Sequence, residues 1–241
     1  MSERVVIVGG TSGIGLAAAG LLARTGREVV IAGRTAERME AALKEIGEEA
    51  TGAVVDARDA AAMREFLAQA GPVDHMVITV TGRGQAAGPL AGLTAQALRQ
   101  AVEDKLIAQL MTAQAAAEVL RPGGSITFVT AASAGAAFPG VSGLAAVNGA
   151  LEAAVPGLAV ELAPIRVNAV SPGVVDTEWW EWLGDQRRAA LDGLASAAAV
   201  GRVGTPGDVA QAIGYVVGNT FVTGTVVRVD GGGILKPAPA A

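Results

Sequence analysis

Gly9, Gly13 and Gly15 interrupt a run that begins Val5-Val6-Ile7-Val8 and resumes at Leu16 as an Ala- and Leu-rich segment. Four β-branched residues in succession predict a strand buried on both faces. The segment after the glycines predicts a helix. A strand, a glycine turn and a helix N-terminus make a cradle for a dinucleotide pyrophosphate. One glycine permits the tight turn, another lets backbone approach the phosphate, and the free N–H groups of the first helical turn meet its charge. The expected phosphate contacts are Gly9, Thr11, Ser12, Gly13, Ile14 and Gly15. Their spacing is G-x-x-x-G-x-G, not the commoner G-x-G-x-x-G.

Other polar residues take their meaning from the ends of the strands that follow. An NAD-binding chain commonly places an acid about twenty residues beyond the loop, on the ribose hydroxyls. Here Gly33 is followed by Arg34, a guanidinium able to pair with a 2′-phosphate that an acid would repel, so NADP(H) is expected. The competing reading has Arg34 merely starting a solvated helix. Asp56, after the third predicted strand, suits an acceptor for the adenine amino group and also suits a helix cap. The single histidine, His75, falls at a strand start and is read as packing. The single tyrosine, Tyr215, sits among Ile213 and Val217 in a late helix and is read as core.

The elements that must position these residues alternate along the chain. Strands are predicted near 28–33, 52–56, 75–80, 125–130, 165–170 and 225–229. Helices are predicted near 36–46, 60–70, 94–120, 144–162 and 206–217, with Pro156 expected to bend or end the fourth. Alternation of this kind predicts an α/β fold: one doubly wound, Rossmann-type, mostly parallel sheet spanning residues 1–241 as a single domain. Ligands in such a sheet collect beyond the carboxyl ends of the strands.

Composition narrows the function. Hydrophobic residues make up 51% and charged residues 17% of the 241, so a large core is affordable. Net charge is −5 with no basic run, which argues against nucleic acid. There is no cysteine, so disulfides and thiolate metal sites are excluded, and no metal is expected. The start Met-Ser-Glu-Arg runs directly into a strand, and the apolar stretch 131–163 is interrupted by Asn148, Glu152 and prolines. A cytoplasmic protein without a membrane span is expected.

The order of these pieces resembles the short-chain dehydrogenase/reductase family over nearly the whole chain. Gly9-x-x-x-Gly13-x-Gly15 is similar to its cofactor loop, and Asp56 to its adenine-site acid. Arg166-Val-Asn168-Ala-Val-Ser171-Pro172-Gly173 is similar to the stretch that leads to the nicotinamide. Gly201-Arg202-Val-Gly204-x-Pro206-x-Asp208 and Val229-Asp230-Gly231-Gly232 are similar to its C-terminal part. The resemblance implies a nicotinamide cofactor, with Pro172, Gly173, Val175 and Thr177 at its carboxamide and phosphate. It also implies a small carbonyl or alcohol substrate and a homodimer or homotetramer built on the long helices, to which the tail 234–241 is expected to contribute.

The family's Tyr-x-x-x-Lys pair has no counterpart. Leu144 stands at the Tyr position and Asn148 at the Lys position. Ala131 falls at the family's Ser, with Thr130 and Ser133 beside it, and Ile78-Thr79-Val80-Thr81 replaces its Asn-Asn-Ala-Gly stretch. Lys105 occupies the position of the Asn on the earlier helix, so Lys and Asn look exchanged between two helices. The resemblance therefore implies an NADP(H)-dependent oxidoreductase with an altered proton-transfer apparatus. The candidate catalytic residues are Lys105, Asn148 and Ser133, and the other possible donors are Thr130, Ser142, a substrate group or water. Lys105 and Asn148 are expected to touch. A catalytically silent NADP(H)-binding sensor or partner subunit, and a non-redox enzyme for elimination or isomerisation, remain the alternatives. Trp179, Trp180 and Trp182, all three tryptophans of the chain, fall where the family covers its substrate. Substrate wall, subunit contact and ordinary packing are all open for them.

Overall fold

Val5 to Val8 form the heart of β1 (Arg4–Val8), and all four are buried. Val6 and Val8 enter the core on one face of the sheet, Val5 and Ile7 the core on the other. That two-sided burial is why the run is continuously apolar. The structure is a computed structural model that describes residues 2–48, 50–84 and 86–235. The expected part of the tail in a subunit contact lies, beyond Leu235, outside the described residues.

After β1 come α1 (Gly13–Arg24), β2 (Glu28–Gly33), α2 (Ala36–Ile46), β3 (Ala50–Val54), α3 (Ala60–Ala70) and β4 (Val73–Ile78). Then follow α4 (Ala95–Ala101), α5 (Ala108–Ala117), β5 (Leu120–Val129), α6 (Ser142–Glu161), β6 (Arg166–Pro172), α7 (Arg187–Ala197), α8 (Pro206–Gly218) and β7 (Val226–Val229). The strands make one seven-stranded sheet in the order β3-β2-β1-β4-β5-β6-β7, every pair parallel. This is the expected doubly wound α/β fold. The chain leaves β1 toward β2 and β3 and returns to place β4 on the other side, which opens a crevice at the carboxyl ends of β1 and β4. Helices α1, α2 and α8 cover one face through residues such as Leu22, Met39 and Ile213. Helices α3, α5 and α6 cover the other through Met63, Phe66, Ala116 and Leu151.

Two local expectations are corrected, the choice left open at Pro156 is narrowed, and one helix is added. The single helix expected over 94–120 is three pieces: α4, a π-helical turn over Val102–Ile107, and α5, with Leu120 already in β5. The Ala108 N–H reaches back to the Glu103 carbonyl, five residues away, so one extra residue is accommodated in the turn. Pro156 does not end α6, which runs on to Glu161; lacking an N–H, it cannot donate to the Glu152 carbonyl four residues back. Tyr215 is 51% exposed on the outer face of α8, not core, because its inward neighbours Ile213, Val216 and Val217 take the buried stripe. Finally, α7 has no counterpart in the sequence reading, since Gly193 and its short apolar stripe weaken the helical signal. By length and hydropathy α6 alone among the described helices could cross a membrane, yet it packs Leu151 and Val155 into the sheet core.

Candidate active site

The carboxyl ends of the strands open into one cleft of about 1650 Å³. The glycine loop forms its floor. Gly9 (φ 91°) and Gly13 (φ 52°) occupy the left-handed region that glycine tolerates. A Cβ at Gly15 would lie 2.2 Å from the Gly9 carbonyl oxygen and 2.7 Å from Thr79 Oγ1, so the turn closes only without a side chain there. Ser12 precedes α1 without capping it through its side chain, and no acid occupies the first turn. The first N–H groups of α1 are thus left for an external anion. Thr177 stands over the same loop, its Cγ2 3.4 Å from where a Gly13 Cβ would be. Thr11 and Ile14 line the cleft beside it. These residues fit a dinucleotide pyrophosphate.

At one end of the cleft β2 stops at Gly33, where a Cβ would meet Thr11 Cγ2 at 2.4 Å. The exposed Arg34 follows and lines the cleft, with no ion pair among the described residues. Arg38, one turn on, also lines the cleft and pairs with Glu178 at 3.2 Å. Asp56 lines the same end, but its carboxylate is already gripped by Arg58, with Nη2–Oδ2 at 2.6 Å and Nε within 3.1 Å of both oxygens. That hydrogen-bonded guanidinium holds the Asp56 carboxyl below its ordinary range. An adenine amino group meeting Asp56 must therefore share it with Arg58. Arg34→Ala should weaken NADP(H) binding far more than NAD(H) binding. Loss of a charge-assisted hydrogen bond worth about 1.5–3 kcal/mol gives roughly tenfold or more in affinity. Equal affinity of the unaltered protein for both cofactors, by titration, would refute the role given to Arg34.

On the other side β6 delivers Pro172 and Gly173. A Cβ at Gly173 would fall 2.7 Å from Asp230 Cα, so glycine allows β6 to close against the segment after β7. Val175 is buried and pairs with Gly204, and Thr177 caps the turn over Glu178–Gln186. That turn brings all three tryptophans to the cleft. Trp179 donates its Nε1 hydrogen to the Gly82 carbonyl at 3.0 Å and Trp180 to the Val175 carbonyl at 2.9 Å. Trp182 packs edge-on against Trp179, with centroids 6.4 Å apart, and stays 63% exposed. The cluster forms a cleft wall; Leu144, Phe138, Val141 and Ile234 line the same cleft.

The chemistry-bearing side chains sit between these two ends. Leu144 and Asn148 share one face of α6, four residues apart, and both line the cleft. Asn148 is buried; its Nδ2 donates to Ser133 Oγ at 3.2 Å and to the Leu144 carbonyl at 2.9 Å, while its Oδ1 has no partner. Ser133 lines the cleft, accepting from Asn148 through its Oγ. Lys105 is 8% exposed in the π turn, and its ammonium donates to the Thr130 carbonyl at 3.1 Å. It does not hydrogen-bond Asn148, as the exchange of positions led one to expect; the π turn aims it at the end of β5 instead. Of the other donors considered, Ser142 is exposed and outside the cleft, and the Thr130 hydroxyl is already donated to Glu152. His75 lies buried away from the cleft, 2.9 Å from Ser125 Oγ, as the reading of it as packing requires.

Burial lowers the Lys105 pKa from its ordinary 10.5 to about 8, against the opposing pull of Glu152. The native state thus releases this proton before the unfolded chain does, and between about pH 8 and 10.5 the unfolded chain binds more protons. Stability contributed by this site therefore rises with pH across that window. Below it, keeping the buried ammonium charged costs about 3 kcal/mol, part of which Lys105→Met recovers while leaving the Thr130 carbonyl unpaired. The melting advantage of Lys105→Met over the unaltered protein should be largest at neutral pH and shrink through the window. A gap independent of pH would contradict it.

Three residues that sequence reasoning did not count among the site residues help build it. Thr79 donates to the Val8 and Gly9 carbonyls, 3.1 Å each, tying the end of β4 to the glycine loop. Gln109, fully buried one turn beyond Lys105, donates to the Val80 and Val129 carbonyls. Glu152, one turn beyond Asn148, accepts from two hydroxyls below the cleft. Thr79 carried a signal in the stretch that replaces the family's Asn-Asn-Ala-Gly, and Glu152 as an acid at four-residue spacing from Asn148.

Comparison with known proteins places these features in a wider set. A family model described as enoyl-(acyl carrier protein) reductase matches residues 8–233. Short-chain dehydrogenase/reductase ATR9 of Stachybotrys chlorohalonatus is 35% identical over 249 residues, covering 97% of this chain and 98% of its own. The solved MalC Reductase/Diels-Alderase of Malbranchea aurantiaca superposes with a TM-score of 0.89 at 30% identity, covering 98% of this chain and 97% of that one. A small-chain dehydrogenase solved in complex with NADPH is 30% identical with a TM-score of 0.80, covering 98% of this chain and all of that one.

Proposed function

The chain belongs to the short-chain dehydrogenase/reductase family, and from that premise we propose that it is an NADP(H)-dependent oxidoreductase that uses Lys105, in place of a tyrosine, to exchange the proton with a small carbonyl or alcohol substrate. The carrying observation is that Lys105 is the one buried ionisable side chain lining the cleft among the described residues. Gly9, Thr11, Ser12, Gly13, Ile14 and Gly15 hold the pyrophosphate, Arg34 the 2′-phosphate, and Asp56 the adenine. Pro172, Gly173, Val175 and Thr177 line the nicotinamide end. When bound, the nicotinamide supplies or accepts the hydride.

The chain's own residues do the rest. The Lys105 ammonium donates a proton to the carbonyl oxygen as the alcohol forms, and its pKa of about 8 keeps it charged near neutrality yet willing to release that proton. The Ser133 hydroxyl donates a second hydrogen bond to the same oxygen. Asn148 Oδ1, buried and unpartnered, accepts a hydrogen bond from a ligand hydroxyl. Leu144 and the tryptophan wall exclude water around the reacting carbon. The test is NADPH oxidation across a panel of small apolar aldehydes and ketones. Tight NADPH binding with no turnover on the panel would favour a silent binder instead. We also read the protein as a cytoplasmic homo-oligomer paired through the outer faces of α5 and α6, without membrane or nucleic-acid partners. A monomer by light scattering at micromolar concentration would reject the pairing.

A further inference from the structure

Lys105 is joined to a second charge through one residue. The Thr130 carbonyl, at the end of β5, accepts the Lys105 ammonium at 3.1 Å, and the hydroxyl of the same Thr130 donates to Glu152 Oε1 at 2.8 Å. Ser171, at the end of β6, donates to the same Glu152 oxygen at 2.7 Å. Helix α6 carries Leu144, Asn148 and Glu152 at four-residue spacing, so the acid lies one turn below the cleft on the face that forms its wall. Among the described residues no other charge addresses the ammonium. On its own turn Glu103 is exposed, and Asp104 pairs with Arg58 at 3.5 Å. On α4 Arg99 is exposed, α5 carries no charge, the segment 130–136 after β5 carries none, and the other acid of α6, Glu161, ends the helix.

We propose that Glu152 is a positioning residue for Lys105: clamped by Thr130 and Ser171, its fixed negative charge keeps Lys105 protonated at the Thr130 carbonyl, where it faces the substrate. This rests on the assignment of Lys105 as proton donor. A buried ammonium with no counter-charge gives up its proton more readily still or leaves the site. Glu152 opposes that without touching the ligand, and two hydroxyl donors hold its carboxylate at the strand ends. The clamp also fixes Thr130, so its carbonyl stays in reach of Lys105.

The chain has three lysines, Lys44, Lys105 and Lys236, so Lys105 can be followed alone. Competitive acetylation of the full-length protein with acetic anhydride, across pH and read by mass spectrometry, reports its titration, with the exposed Lys44 as internal reference. Unaltered protein should titrate Lys105 near pH 8. In Glu152→Gln, which keeps an oxygen to accept from Thr130 and Ser171, the titration should fall by about one unit or more. Glu152→Asp, which keeps the charge, should stay nearer the unaltered protein. The high-pH fall in kcat, where Lys105 loses its proton, should move down in parallel in Glu152→Gln. A Lys105 titration unchanged by Glu152→Gln overturns the proposal, as does an equal shift in Glu152→Asp. Turnover that survives Lys105→Met would instead overturn the assignment of Lys105, while the acetylation experiment would still report what Glu152 does to it.

Discussion

Lys105→Met should lower kcat for NADPH-dependent carbonyl reduction by about 10²–10⁴-fold, the range a positioned general acid supplies, and leave NADPH affinity little changed. The residues proposed to hold the phosphates, the glycine loop and Arg34, lie on different elements from the π turn that carries Lys105. Methionine fills similar volume, and removing a buried charge relieves the neutral-pH folding penalty, so a loss of turnover reports chemistry and not unfolding. Met offers no proton, Leu144 offers none, the Thr130 hydroxyl is committed to Glu152, and Ser133 alone is a poor acid at neutral pH. Stopped-flow NADPH oxidation with a saturating aldehyde, beside equilibrium titration of NADPH, separates the two readouts. Turnover within about threefold of the unaltered protein, a difference of under 1 kcal/mol in barrier, would take Lys105 out of the mechanism.

What could be foreseen divides by how local the cause is. Val5 to Gly15 announced strand, turn and helix because burial on both faces and glycine geometry are both written in adjacent residues. The parallel sheet followed from alternation alone. Lys105 was placed on a helix correctly, but the π turn that aims it has no Gly or Pro to mark it, since one inserted residue is absorbed by widened hydrogen bonds. The expected Lys105–Asn148 contact failed for that reason: position on neighbouring helices does not fix direction, and the turn sends the ammonium to Thr130. The role of Glu152 escaped notice because its partners are 22 and 19 residues away, Thr130 just after β5 and Ser171 on β6. Asp56 was legible as a cleft acid, but its grip by Arg58 depends on a side chain folding back onto the strand end. Tyr215 was misjudged because apolar neighbours in sequence occupy different sides of a helix from it.

Returning the exchanged residues to the family arrangement should install ordinary reductase chemistry. The substitutions are Lys105→Asn, Leu144→Tyr and Asn148→Lys together. Positions 144 and 148 are four residues apart on the cleft face of α6, and Asn148 already sits 3.2 Å from Ser133, so a Tyr and a Lys there would lie side by side above that hydroxyl. The new ammonium would lower the phenol from its usual value of about 10 toward the working pH. Lys105 has to leave in the same step. With it retained, two ammonium groups would share a buried site with Glu152 as the one acid, and at least one would lose its proton or be expelled. The triple variant should therefore exceed Lys105→Met in turnover by about 10²-fold or more. Leu144→Tyr with Asn148→Lys alone should be both slower and less stable than the triple variant. Equal turnover in the triple variant and Lys105→Met would mean that α6 does not present positions 144 and 148 to the reacting carbon, and that the proton path of this cleft runs through the π turn by necessity.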